Sequence, residues 1–179
     1  MSKSILMIVD VQRSLIEYNP YNKDKVISNI KDLISTARNN KIEVLYIRHD
    51  NGKNSNLEQG TDGWQIYDDI KPKINEVIFE KQYNSAFYKT NLNSYLKSKS
   101  IETIILVGLQ TEYCIDATCK SGFEHGYKII IPEETNTTFD NEYLSANKLY
   151  EFYNYKIWNN RFAKVIPFKD VVNIFSEIL

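Results

Sequence analysis

At 179 residues, with 42% hydrophobic and 25% charged side chains, the chain has the size and composition of one ordinary globular domain with its own core. A net charge of −1 leaves no electrostatic footprint for nucleic acid or for an acidic membrane surface, and no apolar run approaches the roughly 20 residues of a membrane span. The expectation is a single domain over residues 1–179, placed in the cytoplasm and working on a small molecule.

Residues 4–9 form a continuous apolar run, the pattern of a strand buried on both faces of a parallel sheet. The run is too short for the apolar core of a signal sequence and reads as a strand. The run stops at Asp10. Asp10-Val11-Gln12-Arg13-Ser14-Leu15 contains no glycine, which argues against a dinucleotide or phosphate loop. Val26, Ile27, Ile30, Leu33, Ile34 and Ala37 recur at helical spacing, and Asn39-Asn40 closes that helix. A second strand over 43–47 ends at Arg48-His49-Asp50. His125 is the only other histidine, so no His-x-His or HExxH spacing exists, and the sequence asks for no metal and no cofactor. His49 reads as a pocket-lining or hydrogen-bonding residue. Residues 51–63 are polar and glycine-bearing, a loop of the kind that builds binding sites at strand ends. Residues 64–67 read as a short helical turn, with Trp64 either walling a pocket or anchoring the loop.

A short strand over 76–80 delivers Lys81, followed by Ser85-Ala86-Phe87. Residues 90–99 read as a helix. The β-branched run 103–107 leads into Gly108-Leu109-Gln110-Thr111-Glu112-Tyr113-Cys114, and a helix is expected over 115–125. Cys114 then sits in the first turn of that helix, where the dipole and unpaired N–H groups favour thiolate, and Thr111 is placed to cap it. Glu112 should point away from the thiol. Cys119, the second cysteine, falls about 140° round the helix from Cys114, so no disulfide is expected. A strand over 127–131 ends at Pro132. Residues 133–140 read as a polar loop, 143–155 as a helix, 163–167 as a last strand and 170–179 as a closing helix. The aromatic segment 150–158 is a candidate interface between copies of the chain.

Strands alternating with helices, with continuous apolar runs in the strands, specify an α/β fold: a parallel sheet covered on both faces, a three-layer α-β-α sandwich. Ligands in such sheets bind beyond the carboxyl ends of the strands. Asp10, Lys81 and Cys114 each follow a strand, so all three arrive at the same edge. A thiol can attack an acyl carbon, a carboxylate in a poorly solvated pocket can take its proton, and an ammonium can hold both. The backbone amides of Gln110 and Cys114 are placed to serve as an oxyanion hole.

Three segments in this order, Asp10-Val11-Gln12, Lys81 with Ser85-Ala86-Phe87, and Gly108 to Cys114, together with Gly126-Tyr127, resemble the isochorismatase-like cysteine hydrolase superfamily over essentially the whole chain. The resemblance implies a Rossmann-like, six-stranded parallel sheet in the order 3-2-1-4-5-6. It implies Asp10 as general base and acid, Lys81 as the cation between acid and thiol, Cys114 as nucleophile, and a cis peptide between Leu109 and Gln110. Gln12, His49, Trp64, Phe87 and Tyr113 are the substrate-binding candidates, and a homo-oligomer, dimer or tetramer, is the expected assembly. Metal-binding nicotinamidases carry an Asp and two His after the second strand, whereas Arg48-His49-Asp50-Asn51-Gly52 has one histidine. True isochorismatases lack the cysteine. The thiol motif looks more like the branch that includes streptothricin-hydrolase-like amidases. The expectation is a hydrolase cleaving a C–N amide-type bond through a thioester. The alternatives are a nicotinamidase, a non-catalytic binding or scaffold protein that keeps the fold, and a redox-sensing thiol.

Overall fold

The computed structural model describes residues 3–177; the last two residues of the expected closing helix lie outside them. Seven parallel strands form one sheet: β1 (Lys3–Val9), β2 (Glu43–His49), β3 (Val77–Lys81), β4 (Ile101–Leu109), β5 (Lys128–Pro132), β6 (Asn136–Thr137) and β7 (Lys164–Ile166). The order along the sheet is β3-β2-β1-β4-β5-β7, with the two-residue β6 beside the end of β4. The expected order holds, but the sixth strand along the sheet is the seventh in the chain. The additional strand comes from the segment read as a polar loop.

Helices cover both faces: α1 (Arg13–Glu17), α2 (Lys23–Asn39), α3 (Leu92–Ser98), α4 (Asp116–Glu124), α5 (Ala146–Glu151) and α6 (Phe168–Glu177). Alternate residues of β1 explain its unbroken apolar run. Leu6 and Ile8 pack with α2 and α6, while Ile5, Met7 and Val9 pack with α3 and α4. β4 divides in the same way, Ile105 and Val107 to one side, Ile104 and Leu106 to the other. Each such side chain removed from water contributes about 1.5–3 kcal/mol, so the two central strands hold the layers together. Among the described residues no helix is long and apolar enough to cross a membrane.

Register then positions the chemistry. Val9 stands opposite Ile47 on one side and Gly108 on the other, and His49 stands opposite Lys81. The Asp10 N–H donates to the Ile47 carbonyl at 3.0 Å and the Asp50 N–H to the Lys81 carbonyl at 2.8 Å. These bonds carry the ladder one residue past the end of each strand. Gly108 is required where β4 closes on β1. Its φ is +127°, and a Cβ there would lie 2.0 Å from the Val9 carbonyl oxygen.

Several local expectations change. Residues 111–115 form a π-helical turn ahead of α4, so Cys114 sits in that turn and not in the first turn of an α-helix. The expected helix over 143–155 is α5 followed by a π-helical segment, Phe152–Trp158. Residues 64–67 are not helical; Ile66 bridges Gln12 instead, and a single 3-10 turn follows at Asp68–Ile70.

Candidate active site

β1, β3 and the turn after β4 bring three side chains together at the carboxyl edge of the sheet. Lys81 Nζ lies 2.6 Å from Asp10 Oδ2 and 3.2 Å from Cys114 Sγ. The third direction of the ammonium is taken by His49 Nδ1, at 2.9 Å. An ammonium has three N–H donors, and here carboxylate, thiol and imidazole account for all of them. The Asp10 and Lys81 side chains are almost wholly buried, at 2% and 0% exposure. Asp10 Oδ1 is buried with no hydrogen-bond partner, which leaves it as the open proton acceptor of the cluster.

Asp10, His49 and Cys114 offer donor atoms within 4.8 Å of one another, a spacing that would suit a metal ion. The Lys81 ammonium occupies their common focus, so a divalent cation would have to displace it. The residues present therefore fit an ammonium-centred site and not a metal centre.

The protonation pattern is set by burial. The Cys114 thiol is pushed up to about 12, first by burial, then by the Asp10 charge, with Lys81 pulling the other way. In the resting site burial and the Asp10 charge therefore work against the thiolate expected from the sequence. The π-helical turn runs straight into α4, but burial outweighs what that helix end offers an anion. His49 is pulled down, by burial first and by the Lys81 cation second, and stays neutral with Nδ1 as acceptor.

The turn carrying Cys114 is pinned from below. The Leu109–Gln110 peptide is cis, as the resemblance implied. The Gln110 carbonyl accepts the N–H groups of Tyr113 and Ile115, at 3.2 and 3.1 Å. Thr111 does not cap a helix; its hydroxyl donates to Asn136 Oδ1 at 2.9 Å, tying the turn to β6.

A cavity of about 290 Å³ opens over the thiol, lined by Asp10, Leu15, His49, Asn51, Leu57, Asn84, Gln110, Tyr113 and Cys114. His49 and Tyr113 stand in it; three other substrate-binding candidates do not. The buried Gln12 amide donates to the carbonyls of His49 and Trp64, both at 2.9 Å, and its oxygen accepts the His49 N–H, so it clamps backbone. Trp64 lies under the Arg48 guanidinium, 3.3 Å from the ring centre, and anchors the loop to β2. Phe87 stacks on Tyr127 in the core. Leu15, Asn51, Leu57, Asn84 and the Gln110 side chain had no individual signal in the sequence, although 51–63 was expected to build the site. A larger groove, about 560 Å³, lies at the amino ends of β5 and β7 and contains none of the three reactive groups.

Residues 4–167 match the isochorismatase domain family. The isochorismatase family protein YrdC of Bacillus subtilis is 27% identical over 183 residues, spanning 98% of this chain and 97% of its own length. Streptothricin hydrolase of Streptomyces noursei is 25% identical over 138 residues, 75% of this chain and 54% of its own. A crystal structure of a cysteine hydrolase from Pseudomonas syringae pv. phaseolicola 1448A shares the fold with a TM-score of 0.92. It is 21% identical and covers 99% of this chain and 94% of that one.

Proposed function

The chain belongs to the isochorismatase family, and from that premise we propose that it is a cysteine hydrolase of small C–N amide-type substrates, working without a metal through Asp10, Lys81 and Cys114. The observation that carries the reading is the convergence of those three groups, with Lys81 Nζ 2.6 Å from the acid and 3.2 Å from the thiol. Because burial keeps the resting thiol protonated, attack needs a base at hand, and Asp10 Oδ1 is the open one. The sulfur bonds to the acyl carbon as its proton passes to Asp10. The oxyanion that forms is met by the N–H groups of Gln110 and Cys114. Collapse breaks the C–N bond, and the amine leaves with the Asp10 proton, giving a thioester on Cys114. Water then gives a proton to Asp10 as its oxygen bonds to the acyl carbon. The second collapse breaks the S–C bond, the sulfur regains the proton, and a carboxylic acid departs. Lys81 holds the acid and thiol in reach of each other throughout.

The test is ammonia or amine release by the purified chain from a panel of primary amides, N-carbamoyl compounds and lactams. Cys114→Ala should lose at least a thousandfold in kcat/KM while its denaturation midpoint stays close to that of the parent. Turnover undiminished in Cys114→Ala would sink the mechanism. A homo-oligomer and a cytoplasmic location belong to the same proposal. Both cysteines are free and buried, which suits a reducing compartment. The expected interface over 150–158 is only partly exposed: Tyr150 and Trp158 are core, while Phe152 and Tyr155 are about half exposed.

A further inference from the structure

We propose that the cavity over Cys114 selects an uncharged carboxamide, a small amide, lactam or N-carbamoyl compound without a carboxylate of its own. What happens after binding rests on the hydrolase reading above; the selection by charge is a property of the cavity wall.

Besides Asp10, His49 and Cys114, the wall is drawn from Leu15, Leu57 and Tyr113 and from three residues with amide side chains, Asn51, Asn84 and Gln110. An amide group offers both a donor and an acceptor, the same pair that a carboxamide presents, so either orientation finds a match. Asn84 Oδ1 lies 3.9 Å from Cys114 Sγ, within reach of an N–H on the nitrogen attached to the carbon under attack. Among the described residues no lysine or arginine lines the cavity apart from the Lys81 ammonium beneath it. That ammonium is spent on Asp10, His49 and Cys114, and its charge is cancelled by Asp10. The nearby guanidiniums are also committed elsewhere: Arg48 to Glu80 and Gln65, Arg13 to Asp62 and Asp68. Behind the rim the charge is negative. Asp50 accepts the N–H groups of Gly52 and Gln59 and the side-chain amide of Gln82. A carboxylate entering this space would give up its water and receive no cation in return, a cost of several kcal/mol that a neutral amide does not meet. The one carboxylate in the wall, Asp10, is already paired with Lys81, so a cationic ligand finds no unpaired partner there. His49, held neutral, adds no charge to the wall.

Iodoacetamide and iodoacetate test this directly, because they differ only in amide against carboxylate. Each alkylates a thiol as the S–C bond forms, the C–I bond breaks, iodide leaves with the electron pair and the thiol proton goes to base. The rate at Cys114 in the folded chain is followed by peptide mass spectrometry, with free cysteine at the same pH as reference. The iodoacetamide-to-iodoacetate rate ratio at Cys114 should exceed that of free cysteine at least tenfold, and Leu57→Arg should bring it back towards the free value. A ratio equal to that of free cysteine, a ratio unmoved by Leu57→Arg, or a site that neither reagent reaches would overturn the proposal. Turnover supplies the second arm. Butanamide should be hydrolysed with a kcat/KM at least tenfold above that of succinamate, which carries a carboxylate in place of its methyl group; succinamate as the equal or better substrate overturns charge selection. Absence of turnover with both counts against the hydrolase reading alone, and the alkylation ratio still decides the selection.

Discussion

His49 closes the coordination of Lys81, and its protonation state decides whether the cluster can exist. The imidazole Nδ1 accepts from the ammonium at 2.9 Å, so a proton on that nitrogen would set two cations against each other. Burial and the Lys81 charge both hold its pKa below the ordinary histidine value. The unfolded chain therefore takes up a proton first as the pH falls below about 6.5, and folded stability drops with it. Allowing for the partial exposure of the ring, the slope should be somewhat under 1.4 kcal/mol per pH unit. Urea denaturation at pH 7.0 and 5.5 measures it. His49→Gln, whose amide oxygen can still accept from Lys81, should flatten that slope; an unchanged slope would place the acid sensitivity elsewhere. Asp10, Lys81 and Cys114 could be placed at one sheet edge from the sequence because each follows a run that reads as a strand, although β3, which delivers Lys81, is only half-buried. Their charge states were not legible. A thiol at a strand–helix junction predicts thiolate, but the depth of burial that reverses this comes from packing.

At the level of elements, β6 was hidden because the residues that build it are polar. Thr135, Asn136, Thr137 and Thr138 are all fully buried, and a run of that composition reads as an exposed loop. Burial is made possible by partners distant in sequence. Thr111 donates to Asn136, Asn136 and Asn154 exchange hydrogen bonds at 3.0 and 3.1 Å, and Asn154 donates to the Tyr150 carbonyl at 2.9 Å. This network joins the nucleophile turn, β6 and the π-helical segment into one unit, and none of it has a periodic signature. The groove lining was hidden for a related reason: Asn51, Leu57 and Asn84 reach the cavity from loops whose paths are set by long-range contacts. Asn136→Ala should cost about 2–4 kcal/mol, because it strands the Thr111 hydroxyl and the Asn154 side-chain oxygen without partners. The loss of kcat should exceed what the lower folded fraction explains, since the turn bearing Cys114 loses its tether. Denaturation and single-turnover kinetics on the same preparation separate the two effects, and full kcat in the folded fraction would show that the tether is dispensable.

For the molecule as a whole, the strand order was expected on the strength of the family resemblance, while the covering of both faces was written in unbroken apolar strands, which have no polar side to turn to water. That double covering has a consequence at alkaline pH. Cys114 and Cys119 lie on the same side of the sheet, and burial pushes both thiols up to about 12. On the opposite face the Tyr46 phenol is raised above its ordinary value, again by burial first. Above about pH 9 for the thiols and about pH 10 for the phenol, and up to the folded values, the unfolded chain has released protons that the folded chain still holds. The folded state binds more protons, so stability must fall as the pH rises through that window. Each thiol contributes up to about 1.4 kcal/mol per pH unit once its unfolded counterpart is fully ionised. Because the two thiols are separate sites, the slopes add. Urea midpoints at pH 8, 9 and 10 should fall increasingly steeply. Cys119→Ala, which removes one buried thiol outside the catalytic cluster, should start from a lower baseline and lose less per pH unit than the parent. Equal slopes in parent and variant would mean that Cys119 ionises as freely in the folded chain as in the unfolded one.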